Sequence, residues 1–176
     1  MKIVNKIITL SALVGGLWFY SKINKKKVEE KILNLSISRP IVTLDPVMAE
    51  DNESIHEIAK VYEGLLEYHY LKKPVEIIPN LAESMPEISE EETKYTFRVK
   101  KKVFFQDNIC FKDGKGRELK ASDFVYSIKR LADPKNNSPL LHFIEGKILG
   151  LDNWIEKNKN LEKTDYSLDI EGLKII

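Results

Sequence analysis

Three histidines, one cysteine and 27 acidic residues are the groups in this 176-residue chain to which chemistry could be assigned. His56, His69 and His142 are far apart, and none has a histidine partner at i+4. A metal would need ligands converging from separate elements, so no metal site is expected. Cys110 lies between Ile109 and Phe111. It has no base in a recognisable spacing and reads as a buried, inert thiol. A single cysteine excludes an internal disulfide. Asp107, Asp113 and Asp123 could be assembled into an acid/base set, but nothing in their spacing holds them together. The Gly-x-Ser-x-Gly elbow and the glycine-rich phosphate loop are both missing. Lys100, Lys101 and Lys102 beside Phe104 and Phe105 imitate a platform for single-stranded nucleic acid. The acidic segment Glu87–Glu92 cancels much of their field, and the formal net charge is only +1. The expectation is a chain that is not an enzyme, holds no cofactor and binds no nucleic acid.

The N-terminus carries an address rather than chemistry. Lys2 and Lys6 precede an apolar run from Ile7 to Tyr20. Its length fits the apolar region of a signal peptide and falls short of the roughly 20 residues that span a bilayer. Phe19 and Tyr20 crowd its end, and no small-x-small cleavage pattern follows. Residues 1–21 are therefore expected to be a signal peptide or a membrane anchor. Residues 22–31, with Lys22, Lys25, Lys26, Lys27 and Lys31 against Glu29 and Glu30, are expected to be a charged tether. The folded part is expected on the extracytoplasmic face of the inner membrane or in the periplasm, with an anchor in residues 7–20 as an option.

The elements that would position a site begin at Leu33. Leu33, Leu35 and Ile37 alternate with Asn34, Ser36 and Ser38, the period of a half-buried strand. Pro40 and Pro46 bracket a non-helical crossing. Ser54 with Glu57 three residues on has capping-box spacing. Ile58, Val61, Tyr62 and Leu65 then make one apolar stripe, predicting a helix that relaxes near Gly64. Pro74 and Pro79 keep 72–80 extended, and Leu81–Met85 reads as one short turn closed by Pro86. Tyr95, Phe97 and Val99 alternate as an amphipathic strand, with Val103 and Phe105 resuming it in a hairpin or bent strand. Lys112–Gly116 reads as a flexible loop. A second helix is predicted from Ala121 or Ser122 to Ala132, with Phe124, Val125, Ile128 and Leu131 inward and Asp133-Pro134 as its stop. A turn of helix is predicted through Asn158. Tyr166–Ile176 reads as a terminal strand.

Taken together these stretches resemble the N-terminal part of the extracellular solute-binding proteins, family 5, the peptide- and oligopeptide-binding receptors of ABC importers. The resemblance runs from Ile32 to Ile176. It rests on Thr43-Leu44-Asp45-Pro46, on Tyr62-Glu63-Gly64-Leu65-Leu66 and on Pro79-Asn-Leu-Ala-Glu-Ser84. It continues in Tyr95-Thr-Phe97 with Val103-Phe-Phe-Gln-Asp107, in Ala121-Ser-Asp-Phe-Val-Tyr-Ser127 and in Lys129-Arg-Leu-Ala-Asp-Pro134. Ile144 to Trp154 is similar to a glycine- and tryptophan-bearing feature of one subgroup. The order and spacing of these motifs are more specific than any one of them. Lys102, Gln106-Asp107-Asn108 and Lys120 depart from the family pattern, the last at a position where a small capping hydroxyl is usual.

The resemblance implies an α/β (mixed α+β) chain, a partial lobe of a two-lobed periplasmic binding protein preceded by an N-terminal hydrophobic helix. Residues 32–176 would be the N-terminal part of that domain, incomplete because the second lobe is not encoded. The implied function is the substrate-binding component of an ABC importer for peptides or related solutes, truncated and compromised in binding. Implied partners are a peptide or small solute, an ABC permease and a separately encoded C-terminal half. Met48, Ala49 and Glu50, after Asp45-Pro46, are the expected ligand contacts. The alternative is a membrane-tethered structural or interaction protein without its own ligand.

Overall fold

The computed structural model describes residues 31–37 and 39–176. The chain divides into two compact units, 1–36 and 37–176. The apolar run at 7–20 lies outside the described residues, as does the tether up to residue 30. Among the described residues no helix is long and apolar enough to cross a membrane.

The strand expected at Leu33–Ile37 is not formed. Leu33 is 79% exposed and Leu35 75% exposed, and none of 31–37 joins a ladder. Alternation marks a strand only where a neighbouring strand takes the hydrogen bonds.

In the second unit, helix α1 covers Asn52–Ile58. Its cap is Asp51, whose carboxylate accepts the Ser54 N–H at 2.8 Å, so Ser54 is not the cap. The helix also stops earlier than its apolar stripe suggests. A turn at 59–61 ends it, and Val61 and Tyr62 stand largely exposed.

Strand β1, Leu66–Tyr68, pairs antiparallel with β2, Ile77–Pro79, with Glu67 opposite Ile78. Pro79 sits at the end of its strand, where its missing N–H is tolerated. Strand β3, Glu87–Ile88, pairs antiparallel with β4, Tyr95–Thr96. The acidic segment thus forms one side of a hairpin, with Arg98 Nη2 on the Glu87 carboxylate at 2.8 Å. Leu81–Met85 is not an isolated turn, because Ala82 is fully buried and bridges Val99. Val103–Phe105 finds its partner in Arg117–Leu119: Phe105 N–H donates to Arg117 C=O at 3.0 Å and Leu119 N–H to Val103 C=O at 2.8 Å. Gly116 makes this pairing possible, since a Cβ there would lie 1.7 Å from the Phe105 carbonyl oxygen.

Helix α2, Ala121–Ala132, has the expected bounds and ends at Asp133, whose backbone is extended before Pro134. Lys120 offers no acceptor to cap it. The Asp123 carboxylate instead reaches back to the Lys120 N–H at 2.8 Å, half of a capping box. Phe124, Val125, Ile128 and Leu131 are half-buried, while Ala132 and Lys129 go deepest. Helix α3 covers Leu151–Lys159. Ala132, Leu151, Trp154 and Ile170 form the core, with Leu141, Ile144, Ile148, Ile155, Leu168 and Leu173 packed against it.

The terminal strand predicted at Tyr166–Ile176 is absent. This segment runs as turns and coil and inserts Ile170 into the core. Its carbonyls are taken by side chains instead: Lys129 Nζ donates to Tyr166 C=O at 2.9 Å and Leu168 C=O at 2.7 Å, and Trp154 Nε1–H donates to Leu168 C=O at 3.0 Å. Side chains thus meet the backbone requirement that a ladder would have met. The architecture is mixed α and β, with two-stranded sheets rather than a broad layer.

Candidate functional site

The segment from Thr43 to Glu50 forms a lip held by polar bonds from both sides. Its shape begins locally. Thr43 Oγ1 accepts the Asp45 N–H at 3.1 Å, and Asp45 Oδ1 accepts the Val47 N–H at 3.2 Å. Short side chains bonding the backbone two residues on are what make such turns. A backbone bond from Met48 N–H to Asp45 C=O at 3.0 Å closes the turn around Pro46.

Three side chains from elsewhere then fasten it. Ser54, fully buried in α1, accepts from the Val42 and Thr43 N–H groups at 3.1 and 3.2 Å. Arg130, in the last turn of α2, grips Asp45 with both arms, Nη1 to Oδ1 at 3.2 Å and Nη2 to Oδ2 at 2.7 Å. Ser138 donates its hydroxyl to the Val47 carbonyl. The Arg130 hydrogen bond holds the Asp45 carboxyl below its ordinary range against partial burial, and raises the pKa of the guanidinium in turn.

Side chains along the lip alternate. Val47 and Ala49 are buried at 5% and 3% exposure, while Met48 is 40% exposed and Glu50 is also exposed. Of the three expected contact residues, Met48 and Glu50 therefore face outward and Ala49 faces inward. Among the described residues the Glu50 carboxylate has no hydrogen-bond or ion-pair partner, and the Met48 carbonyl and the backbone groups of Glu50 bond to nothing. This arrangement suits docking of an extended chain by main-chain bonds, with a carboxylate nearby for a cationic group.

The other motif residues lie in a different place. Lys60, Val61, Tyr62, Glu63, Gly64 and Gln106 line an open hollow of about 400 Å³ below the end of α1. Gly64 anchors it by accepting the Leu81 N–H at 3.2 Å. No hydrogen bond joins Tyr62, Glu63 or Gly64 to Met48, Ala49 or Glu50. Thr43, Asp45 and Pro46 build the lip, and Leu44 stands 59% exposed on it.

Asp107, Asp123 and His69 have structural duties. Asp107 accepts from Lys115 Nζ and from the Gly116 N–H, at 2.6 and 3.0 Å. Asp123 pairs with Arg117 through two bonds of 2.8 and 2.6 Å. His69 Nδ1 accepts the Leu71 and Lys72 N–H groups at 3.2 and 3.3 Å, closing the turn between β1 and β2. Cys110 is exposed rather than buried, because the 106–111 loop folds outward and only Phe111 turns in, against Phe105 at 5.7 Å. Sequence reasoning missed Arg130, Ser54 and Ser138 as holders of the lip. Arg130 is 85 positions from Asp45, beyond the reach of any local spacing rule.

Residues 76–171 match the family model for bacterial extracellular solute-binding proteins, family 5 Middle. The chain is 30% identical over 159 residues to a dipeptide-binding protein of Lactococcus lactis subsp. cremoris (strain MG1363), covering 89% of this chain and 26% of that one. It is 44% identical over 61 residues to the dipeptide-binding protein of Escherichia coli (strain K12), covering 35% and 11% respectively. It is 34% identical over 101 residues to the periplasmic murein peptide-binding protein MppA of the same organism, covering 57% and 16%. The chain thus spans about a quarter or less of the length of each of these relatives.

Proposed function

The chain belongs to the bacterial extracellular solute-binding proteins of family 5, and from that footing we propose that it serves the capture of peptides for an ABC importer. The relatives named for dipeptides and murein peptides support a peptide as the ligand class. The permease of the importer is the partner in the membrane. Residues 1–21 act as a signal or anchor, 22–31 as a tether, and 32–176 as part of the binding domain in the periplasm or on the outer face of the inner membrane.

The observation that carries this reading is the lip. It is pinned by Arg130, Ser138 and Ser54, and it exposes Met48 and Glu50, whose carboxylate has no partner among the described residues. Met48 and Glu50 are the proposed contacts, with Ala49 as the inward residue that shapes the backbone between them. A peptide's main chain would pair with the lip, and Glu50 would receive its ammonium group. A ligand cleft is concave and has two walls. The lip supplies one wall, so residues 1–176 taken alone hold peptide weakly. The roles are binding and orientation, with no bond made or broken.

Calorimetric titration of the chain with a mixed peptide library tests the reading. Weak saturable heat that disappears in Glu50→Gln supports it. No heat at millimolar peptide, with or without added family-5 C-terminal lobe, refutes peptide capture.

A further inference from the structure

Two of the three tethers on the lip come from one short stretch of chain, 130–138, and they reach the lip at alternate positions. Arg130 holds the Asp45 carboxylate and Ser138 holds the Val47 carbonyl. The lip is a turn at 46–48, closed by the Met48 N–H on the Asp45 carbonyl at 3.0 Å. A turn held only by its own local bonds could lie against the chain in more than one way; anchors on the Asp45 side chain and the Val47 carbonyl, one on each side of Pro46, fix how it lies. The observed pattern, Val47 and Ala49 buried with Met48 and Glu50 exposed, is the register in which these anchors hold the turn.

The anchoring stretch is itself tied down. Asn136 Nδ2 donates to the Arg130 carbonyl at 2.7 Å, and the Ser138 hydroxyl accepts the Leu140 N–H at 3.2 Å. Between them, the Asp133 carboxylate is held by Thr164, by the Tyr166 hydroxyl at 2.7 Å and by the Lys135 N–H at 2.8 Å. The two-armed grip on Asp45 adds an orientation that a single point charge would not impose.

We infer that Arg130 is the positioning residue that decides which lip side chains meet a ligand: through Asp45, and in step with Ser138, it sets the register that turns Met48 and Glu50 outward and Ala49 inward. The inference rests on the proposed reading of the lip as a ligand contact, but the register itself is measurable without any ligand.

The test uses the full chain with Cys110→Ser, because Cys110 is exposed. Met48→Cys, Ala49→Cys and Glu50→Cys are made singly, and each thiol's rate with an aromatic disulfide reagent is measured. Positions 48 and 50 should react about tenfold or more faster than position 49, since reaction requires an accessible thiol. Adding Arg130→Met or Asp45→Asn should bring the three rates together. Arg130→Lys should keep the contrast only in part. Asp45→Asn keeps the shape of the side chain, so it decides the matter if Arg130→Met does not fold. A contrast that survives both Arg130→Met and Asp45→Asn overturns the inference, as does its absence in the parent. Titration with trialanine separates the two readings. Failure of the parent to bind any peptide removes peptide capture and leaves the register result standing. A tenfold weaker trialanine affinity in Arg130→Met, recovered in part by Arg130→Lys, ties the register to the ligand.

Discussion

The phenol of Tyr166 donates to Oδ2 of Asp133 across 33 positions of sequence, at 2.7 Å. Asp133 ends α2, and Tyr166 lies in the terminal segment that covers the core, so this bond fastens the last part of the chain to the helix that carries Arg130. The Tyr166 ring also packs against Tyr126 at 5.2 Å and edge-on against Trp154 at 6.2 Å.

Tyr166→Phe keeps the ring contacts and removes the bond. It should destabilise the protein by about 1.5–3 kcal/mol, the usual worth of a hydrogen bond to a charged group. Urea unfolding followed by near-ultraviolet circular dichroism measures this, and an unchanged midpoint would show the bond contributes nothing.

Stability should fall at both ends of the pH scale. Burial pushes the Asp133 carboxyl up, but bonds from Thr164, Tyr166 and the Lys135 N–H outweigh it and leave the group below its ordinary range. The Arg130 bond lowers Asp45 likewise. Carboxylates with depressed folded pKa values stabilise above the unfolded value, about 3.9, and lose that contribution as pH falls through the folded values. Tyr166 moves the other way: burial and the Asp133 bond raise it. Its contribution is complete below the unfolded value of about 10 and is lost as pH rises from there. Melting temperature against pH should decline in acid and in alkali, and Tyr166→Phe should flatten the alkaline limb.

Lys120→Ser should stabilise α2. Lys120 has no oxygen for the free N–H groups of the first turn, and only the Asp123 carboxylate serves the cap. A serine hydroxyl at that place adds about 0.5–1 kcal/mol. Chemical denaturation would detect the gain, and a loss would mean that Lys120 has a role outside the cap.

Ser54→Ala should loosen the lip without unfolding the core. The Ser54 hydroxyl serves two backbone N–H groups, and its loss leaves them to water or unpaired, at a cost of about 1–2 kcal/mol. Faster amide hydrogen exchange should appear at Val42 and Thr43, with protection around Trp154 unchanged. Equal acceleration at both places would count against a local effect.

Helix α2 was legible to within one residue, because its apolar spacing and its Asp-Pro stop act within a few positions. The family was legible for a related reason: its motifs follow one another in fixed order along the chain. Helix α1 was only half legible. Its start was misplaced because Asp51 and Ser54 are both good caps, and only the fold sends the Ser54 hydroxyl to Val42 and Thr43. Its end was misplaced because a stripe of apolar residues does not say whether anything is there to cover it.

The strands divide the same way. Leu33, Leu35 and Ile37 alternate without forming a ladder, and Tyr166–Ile176 supplies carbonyls to Lys129 and Trp154 instead of to a strand. A strand is a property of two segments, so one segment's pattern leaves it open. What depends on near neighbours could be read along the chain: helix α2 and the order of the motifs. Long-range folding alone settled that Arg130 closes on Asp45, that Lys129 is buried against carbonyls, that Cys110 lies outside, and that Met48 and Glu50 rather than Ala49 face outward. Those outcomes depend on contacts between residues tens of positions apart, whose closure is driven by the packing around Ala132, Leu151, Trp154 and Ile170 and leaves no local trace in the chain.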